Sequence, residues 1–109
     1  MSPAGEEVGL CAITISELYE GVHLANSAQR TADRREFIEQ FALALPVFDF
    51  TMNVALQHAR LRAIQRQKGK MISAHDLIIA ATAMSLGWAV LTLNGTEFRQ
   101  VEGLGVREA

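Results

Sequence analysis

Residues 71–86 constrain the fold of this chain more than any other segment, because they predict a helix that is apolar on nearly every side. Ser73 is a suitable N-cap, and Asp76 stands three residues later, where a capping-box partner is expected. The remaining apolar positions of the helix are Leu77, Ile78, Ile79, Ala80, Ala81, Ala83, Met84 and Leu86. A helix of this kind is expected to be buried on more than one side, between a sheet and other helices.

Short apolar runs and helical segments alternate along the rest of the chain. Strands are predicted at residues 8–15, 46–50 and 89–93, with an edge strand at 104–106. Further helices are predicted from Ser16, over residues 30–45 and over residues 51–68, with Gly69 and Gly87 ending the last two helices of the chain. This alternation indicates an α/β domain with a parallel sheet flanked by helices.

Length, charge and cysteine content narrow the class of protein. The chain has 109 residues, so we expect a single domain over residues 1–109. Its net charge of −2 gives no global attraction to nucleic acid or membrane, and a polyanion must meet a local patch. Cys11, the single cysteine, is expected to be a buried thiol in a reducing cytosol. No signal peptide or membrane-spanning helix is apparent, which predicts a cytoplasmic location.

Three acids occupy the same position relative to predicted helix starts. The pairs are Thr14 with Glu17, Ser73 with Asp76, and Asn94 with Glu97, each separated by three residues. Helix capping explains each acid when it is taken alone. Taken together they indicate a site, because ligands gather at the carboxyl ends of parallel strands, and Glu17 and Glu97 directly follow predicted strands.

Three clustered carboxylates repel one another unless a cation lies between them, which indicates a metal site. Hard oxygen donors without cysteine or paired histidine ligands favour Mg²⁺ or Mn²⁺ over Zn²⁺. Such ions keep several waters and bind phosphates, so the sequence predicts a phosphodiester substrate and metal-assisted hydrolysis.

A basic segment is the best candidate for contact with phosphates. Its residues are Arg60, Arg62, Arg66, Lys68 and Lys70, and no acid interrupts them. A solvated helix face is the alternative. His75 adjoins Asp76 and is interpreted as a surface residue of the first helical turn. Phe37, Ile38 and Phe41 share one helix face; we expect ordinary core there, with a groove for a partner helix as the alternative.

Three motifs resemble the PIN-domain ribonucleases, specifically VapC-type toxins. They are Ile-Thr-Ile-Ser-Glu-Leu-Tyr-Glu-Gly from Ile13, His-Asp-Leu-Ile-Ile-Ala-Ala-Thr-Ala from His75, and Leu-Thr-Leu-Asn-Gly-Thr-Glu-Phe from Leu91. The resemblance covers the chain from about Leu10 to Val106. It implies a metal-dependent endoribonuclease that a VapB-type antitoxin inhibits and that forms homodimers or higher oligomers. It places the family's catalytic and metal-binding acids on Glu17, Asp76 and Glu97, with Thr92 and Asn94 as supporting groups.

The chain departs from that family at its start. The family begins with a central strand that ends in Asp-Thr-Asn or Asp-Thr-Ser, and no such motif occurs here. We therefore expect an N-terminally incomplete PIN-like domain that lacks this first strand. The alternative function is a catalytically inactive remnant that binds an antitoxin or another partner, and a DNA nuclease is a second enzymatic alternative.

Overall fold

The computed structural model describes residues 8–93 and 95–108. Contacts within the chain divide it into two compact units, of which the first comprises Val8–Asp49 and the second contains Phe50–Ala109. Each unit holds one pair of parallel strands, which confirms the prediction of an α/β fold with parallel strand pairing. Among the described residues, no helix combines the length and the apolar character that crossing a membrane requires.

The first unit is built on two helices and a short strand pair. Strand β1 (Leu10–Cys11) pairs in parallel with β2 (Val47–Phe48), and helices α1 (Ala12–His23) and α2 (Ala28–Phe37) lie between them in sequence. A five-residue π-helical segment, Ile38–Ala42, continues α2. The core of this unit consists of Val22, Ile38 and Ala42, against which Leu10, Leu18 and Tyr19 pack.

The predicted strand over residues 8–15 was wrong beyond Cys11. Helix α1 begins at Ala12, and its N-cap is Cys11, whose side chain makes no capping hydrogen bond. Thr14 is therefore inside the helix and is not its cap. Ile13, Thr14 and Ile15 are β-branched residues that favour strands, but this preference is weak and tertiary context overrides it. Starting the helix at Ala12 places Leu18, Tyr19 and Val22 where the core of this unit contacts them.

Helix α2 begins earlier than predicted and ends in a different kind of helix. Ser27 is its N-cap and accepts a hydrogen bond from the backbone N–H of Arg30 at 3.1 Å. Expected core positions Phe37 and Phe41 are 55% and 62% exposed, whereas Ile38 is buried. The core assignment was thus wrong for both phenylalanines, because Ile38 and Ala42 occupy the buried face while Phe37 and Phe41 lie together on the exposed one.

The second unit contains the two longest helices, and here the predictions hold. Helix α3 spans Met52–Lys68, with Thr51 as N-cap and Gly69 in the left-handed conformation at its end. Helix α4 spans Ala74–Leu86, with Ser73 as N-cap and Gly87 in the left-handed conformation. Glycine adopts this conformation without the steric penalty of a Cβ atom, which explains why both helices end at these positions.

Helix α4 is the centre of the core of the second unit. Ala80 and Ala81 are both 0% exposed, and Leu77 and Ala83 are also buried. Residues from α3 and from the chain after α4 complete this core, and they are Val54, Leu61, Ile72, Val90, Phe98 and Val101. The expectation that this helix is buried on more than one side is therefore confirmed.

Two parallel strands follow α4. Strand β3 (Val90–Thr92) is shorter than the predicted segment 89–93, and β4 (Val106–Glu108) begins two residues later than the predicted edge strand. Their register pairs Val90 with Val106 and Thr92 with Glu108, so both strands end at the same edge. Between them a short 3₁₀ helix, Phe98–Gln100, buries Phe98 in the core.

Candidate active site

The N-terminus of α4 presents a capped helix end with an acid in its first turn. The Ser73 side chain accepts a hydrogen bond from the backbone N–H of Asp76 at 3.2 Å, as predicted. In a complete capping box the acid at the third position accepts the N–H of the N-cap residue in return. Here that acceptor is Glu97, whose Oε1 lies 3.1 Å from the Ser73 nitrogen.

Glu97 and Asp76 are brought into direct contact at this helix end. Their carboxyl groups share a hydrogen bond, which raises the pKa of Glu97 above its ordinary value; the bond from the Ser73 N–H opposes this shift and only partly offsets it. A hydrogen bond between two carboxyl groups requires a proton on one of them. At a pH where both are ionised, the pair is a concentrated negative charge beside a helix N-terminus.

Glu97 reaches this position from a turn rather than from a capped helix. The sequence had suggested that Glu97 is the third residue of a helix. The 3₁₀ helix instead begins at Phe98, so Glu97 immediately precedes it. The predicted cap, Asn94, lies outside the described residues. Thr92 is half-buried at the end of β3, a few residues before the turn.

A third interaction fixes the turn that carries Glu97. The Oε1 atom of Glu108 accepts hydrogen bonds from the backbone N–H of Gly95 at 3.0 Å and from Nη1 of Arg99 at 2.9 Å. The N–H of Arg99 donates to the carbonyl of Gly95 at 2.9 Å. We call these three residues the Gly95 clamp. The sequence analysis did not identify Glu108 or Arg99; the available signal was an acid at the end of an apolar alternation.

A buried glutamine fixes the segment that leads into Ser73. Gln65 lies on α3, and its Oε1 atom accepts a hydrogen bond from the N–H of Ile72 at 3.0 Å. Its backbone carbonyl accepts from the N–H of Lys70 at 3.1 Å. The chain between α3 and α4 is thus held at two points just before the cap of the site.

Glu17 belongs to the first unit, apart in sequence from the Asp76–Glu97 pair of the second. It is an exposed residue on the sixth position of α1 and not a first-turn acid, so the predicted Thr14–Glu17 capping box was wrong. Glu17 lines a cavity of about 360 Å³ together with Leu18, Gly21, Asp33, Arg34, Phe37 and Ile38. Across this cavity Nη1 of Arg34 donates to the carbonyl of Gly21 at 2.6 Å, which ties α2 to α1.

In the second unit, the Asp76–Glu97 pair is therefore the candidate for binding a metal ion. Over residues 8–93 and 95–108, no group of three or more His, Cys, Asp or Glu side chains is arranged to hold a metal ion. The donor set of the pair consists of carboxylate oxygens, which suit hard divalent cations that retain several waters. His75 is exposed in the first turn of α4, as predicted.

The five basic residues are all exposed, but they face different sides of α3 or lie beyond its end. Arg62 and Arg66 are one turn apart on the same side of the helix. Arg60 and Lys68 each lie two residues from one of them, a spacing that turns a side chain by about 200°, so they face other sides of the helix. Lys68 forms an exposed ion pair with Glu102 at 2.9 Å. Lys70 follows the helix end at Gly69, so Arg66 and Lys70 do not form a pair one turn apart on a continued helix.

Comparison with known proteins places these features in a family. The sequence pattern of the PIN domain matches residues 2–104. Ribonuclease VapC1 of Rickettsia felis is 31% identical over 94 residues, which cover 86% of this chain and 70% of that protein. The tRNA(fMet)-specific endonuclease VapC of Salmonella typhimurium is 28% identical over 99 residues, covering 91% of this chain and 73% of that protein.

A solved structure shows the same fold. The crystal structure of FitAcB from Neisseria gonorrhoeae aligns with a TM-score of 0.82 and 34% sequence identity, covering 93% of this chain and 74% of that chain. The match of the PIN pattern along nearly the whole sequence, together with the identity to a VapC ribonuclease, confirms the resemblance that the three motifs indicated. The chain belongs to the PIN-domain family, among its VapC-type ribonucleases.

Proposed function

We propose that this protein is the endoribonuclease toxin of a VapBC-type toxin–antitoxin module. The observation that carries the proposal is the contact between Asp76 and Glu97 at the N-terminus of α4. When both are ionised, carboxylates in contact repel each other, and a divalent cation between them removes that repulsion. The two compact units together form one PIN-like domain, in keeping with a family match that extends over both.

The cation would be Mg²⁺ or Mn²⁺, and Asp76 and Glu97 would hold it; Glu17, in the first unit, is the further acid that the family resemblance assigns to metal binding. Oxygen ligands and an open, water-rich position favour these ions over Zn²⁺. When bound, a divalent cation polarises the phosphoryl group and makes its bound water a stronger nucleophile. Thr92, at the end of β3, would orient ligands or water at the same edge, and Asn94 is the second supporting residue that the family resemblance assigns.

The residues of the chain have separate tasks in this proposal. Asp76 stays fixed in the first turn of α4, because its own N–H is bonded to the Ser73 side chain. A divalent cation held by both carboxylates would replace the hydrogen bond between Glu97 and Asp76 and would displace its proton. Ligand binding and proton release are therefore coupled at Glu97.

The RNA backbone is bound by exposed cations on and after α3. Arg62 and Arg66 form a pair one turn apart, and like charges at this spacing destabilise a helix by about 0.2–0.5 kcal/mol. A phosphate between them relieves that repulsion. Arg60 and Lys68, on other sides of α3, and Lys70, beyond its end, are the further candidates for phosphate contacts; the Lys68–Glu102 ion pair is exposed and therefore readily exchanged for such a contact.

A VapB-type antitoxin is the proposed partner, with the cavity between α1 and α2 as its docking region. Phe37 and Phe41 are exposed there, with ring centroids 5.5 Å apart. Two exposed phenylalanines beside an apolar cavity suit an apolar anchor of a partner helix. The similar crystal structure from Neisseria gonorrhoeae is that of FitAcB. We place the protein in the cytoplasm, where RNA and the antitoxin are found, and expect a homodimer or higher oligomer.

The decisive experiment compares Asp76→Asn with the native chain in RNA cleavage. We expect cleavage of transfer, ribosomal or messenger RNA that requires Mg²⁺ or Mn²⁺, stops with EDTA and is lost in Asp76→Asn. Glu102→Gln is the matched control, because it neutralises an exposed acid of the same unit that is not at the site. Antitoxin binding should persist in both variants.

Three outcomes contradict the proposal in different ways. Cleavage that survives in Asp76→Asn with unchanged metal dependence removes Asp76 from the mechanism. Antitoxin binding without cleavage by the native chain favours the non-catalytic binding protein. Cleavage of single-stranded or duplex DNA in preference to RNA favours the DNA nuclease.

A further inference from the structure

Glu108 stands at the point where two strands end and the turn with Glu97 begins. The register of β3 and β4 pairs it with Thr92, so its backbone lies beside the last residue of β3. Its side chain extends over the turn that follows β3 and accepts the N–H of Gly95 and Nη1 of Arg99 with the same oxygen. One carboxylate of β4 thereby holds two points of the turn.

Both ends of the Glu97 segment are fixed by the Gly95 clamp. Glu97 lies two residues after Gly95 and two before Arg99, and two residues span at most about 7 Å. The backbone bond from Arg99 N–H to the Gly95 carbonyl closes the turn between them. The position from which the Glu97 side chain starts is therefore set by contacts that converge on Glu108.

Packing around Gly95 shows how tightly the clamp is closed. Gly95 is buried, and a Cβ atom at this position would lie 2.8 Å from both Arg99 Nη1 and Glu108 Oε1. The backbone of Gly95 is not in the left-handed region. A Cβ atom here would have to displace the ends of these two charged side chains, so the close approach of Arg99 and Glu108, and not backbone conformation, favours glycine.

We propose that Glu108 is a positioning residue that sets the reach of Glu97 to Ser73 and Asp76. Loss of the Glu108 carboxylate leaves the turn held by the Arg99–Gly95 backbone bond and by the buried Phe98, with fewer contacts that fix the Glu97 carboxylate against the Ser73 N–H and Asp76. The effect on metal binding and on catalysis rests on the proposed function. The positioning of Glu97 itself does not, since it is a relation among residues of this chain.

An ordinary surface ion pair is the competing explanation of Glu108. Its ion pair with Arg99 is 2.9 Å long and about half exposed on both sides, and such pairs contribute little to stability. Lys68 and Glu102 form an ion pair of the same length in the same unit, also exposed on both sides. Glu102→Ala is therefore the matched control, because it removes an equivalent ion pair that does not hold the turn.

The experiment follows the Ser73 amide by hydrogen exchange in the full 109-residue chain. Glu108→Ala should weaken the bond from Ser73 N–H to Glu97, so that this amide exchanges about two- to tenfold faster. Gly95→Ala should act in the same direction by forcing the two charged groups apart. Glu108→Gln keeps an acceptor for the Gly95 N–H and should have a smaller effect. Glu102→Ala should leave the Ser73 amide unchanged.

Mg²⁺ titration of the same variants gives a second measurement. Residues that orient a metal ligand typically change metal affinity by about 10–100-fold when they are lost. We expect Mg²⁺ affinity to fall by about tenfold in Glu108→Ala and in Gly95→Ala, with Glu102→Ala at the native affinity. Unchanged Ser73 exchange in folded Glu108→Ala and Gly95→Ala would overturn the inference.

The two proposals fail in different ways. If the native chain neither binds Mg²⁺ nor cleaves RNA while Ser73 exchange responds to Glu108→Ala, positioning stands and the proposed function fails. If the native chain is an active nuclease and Glu108→Ala changes neither Ser73 exchange nor Mg²⁺ affinity, the proposed function stands and positioning fails.

Discussion

The carboxylate of Glu97 accepts the backbone N–H of Ser73 at 3.1 Å, although the two residues are 24 positions apart in the chain. Ser73 begins α4, so the bond that completes this helix start comes from a turn after β3. An acid proposed to bind metal is therefore also a capping partner. Changes at Glu97 should consequently alter the stability of the fold as well as the chemistry of the site.

Replacing Glu97 with glutamine should reduce the change of unfolding free energy with pH above pH 4.5. The hydrogen bond with Asp76 raises the pKa of Glu97 above its ordinary value of 4.5, so the folded state binds this proton more tightly than the unfolded state. The resulting stabilisation is fully present below pH 4.5 and is lost as the pH rises through the raised pKa. Urea unfolding from pH 4 to pH 8 measures this; equal slopes for the native chain and Glu97→Gln would refute it.

Acid should destabilise the protein through two other glutamates. Arg99 and the Gly95 N–H lower the pKa of Glu108, and Lys68 lowers that of Glu102. Their stabilisation is present above the ordinary pKa of 4.5 and is lost as the pH falls through the lowered values. The double variant Glu102→Gln, Glu108→Gln should therefore lose less stability between pH 5 and pH 3 than the native chain. Unfolding curves that remain parallel over this range would contradict the assignment.

Removing the Ser73 hydroxyl should weaken both the helix and the site. Ser73→Ala deletes the acceptor for the Asp76 N–H and should cost about 1 kcal/mol of unfolding free energy. Ser27→Ala is the control, because Ser27 caps α2 in the same manner. Both variants should lose similar stability in urea unfolding. Only Ser73→Ala should bind Mg²⁺ more weakly, and an equal loss of affinity in both would argue against a local effect.

Replacing Phe37 and Phe41 with serine should separate folding from partner binding. Both rings are more than half exposed, so the double variant should lose little stability. We expect it to lose binding of the cognate VapB-type antitoxin, which gel filtration of the mixed proteins measures. Leu24→Ser is the control, since Leu24 is exposed in the same unit but does not line the cavity. Retained antitoxin binding would place the docking region elsewhere.

Local signals explain why α3 and α4 were predictable from sequence. Thr51 and Ser73 cap the two helices with their own hydroxyls, and Gly69 and Gly87 end them. All four effects act within a few residues, so the local sequence contains the signals that bound both helices. The contact of Asp76 with Glu97 was also expected, because the carboxyl ends of parallel strands and the helix starts nearby share one edge.

Features that depend on distant residues were not predictable in the same way. The start of α1 at Ala12 depends on packing against the core of the first unit, which overrides the strand preference of Ile13 to Ile15. The exposure of Phe37 and Phe41 depends on which helix face packs on the core, and Ile38 and Ala42 occupy that face. The Gly95 clamp depends on the register of β3 and β4, which places Glu108 beside the turn.

The fully buried alanines of α4 lie in the core of the second unit, on the same helix whose N-terminus carries the candidate site. Ala80 lies four residues after Asp76, about one helical turn away. A larger side chain at Ala80 or Ala81 would overpack the core and would force neighbouring side chains and the helix backbone to shift. Because Ser73 and Asp76 begin the same helix, a shift of its middle would also move these two residues. Random mutagenesis for reduced toxicity should therefore recover substitutions in the middle of α4 as often as changes to the acids themselves.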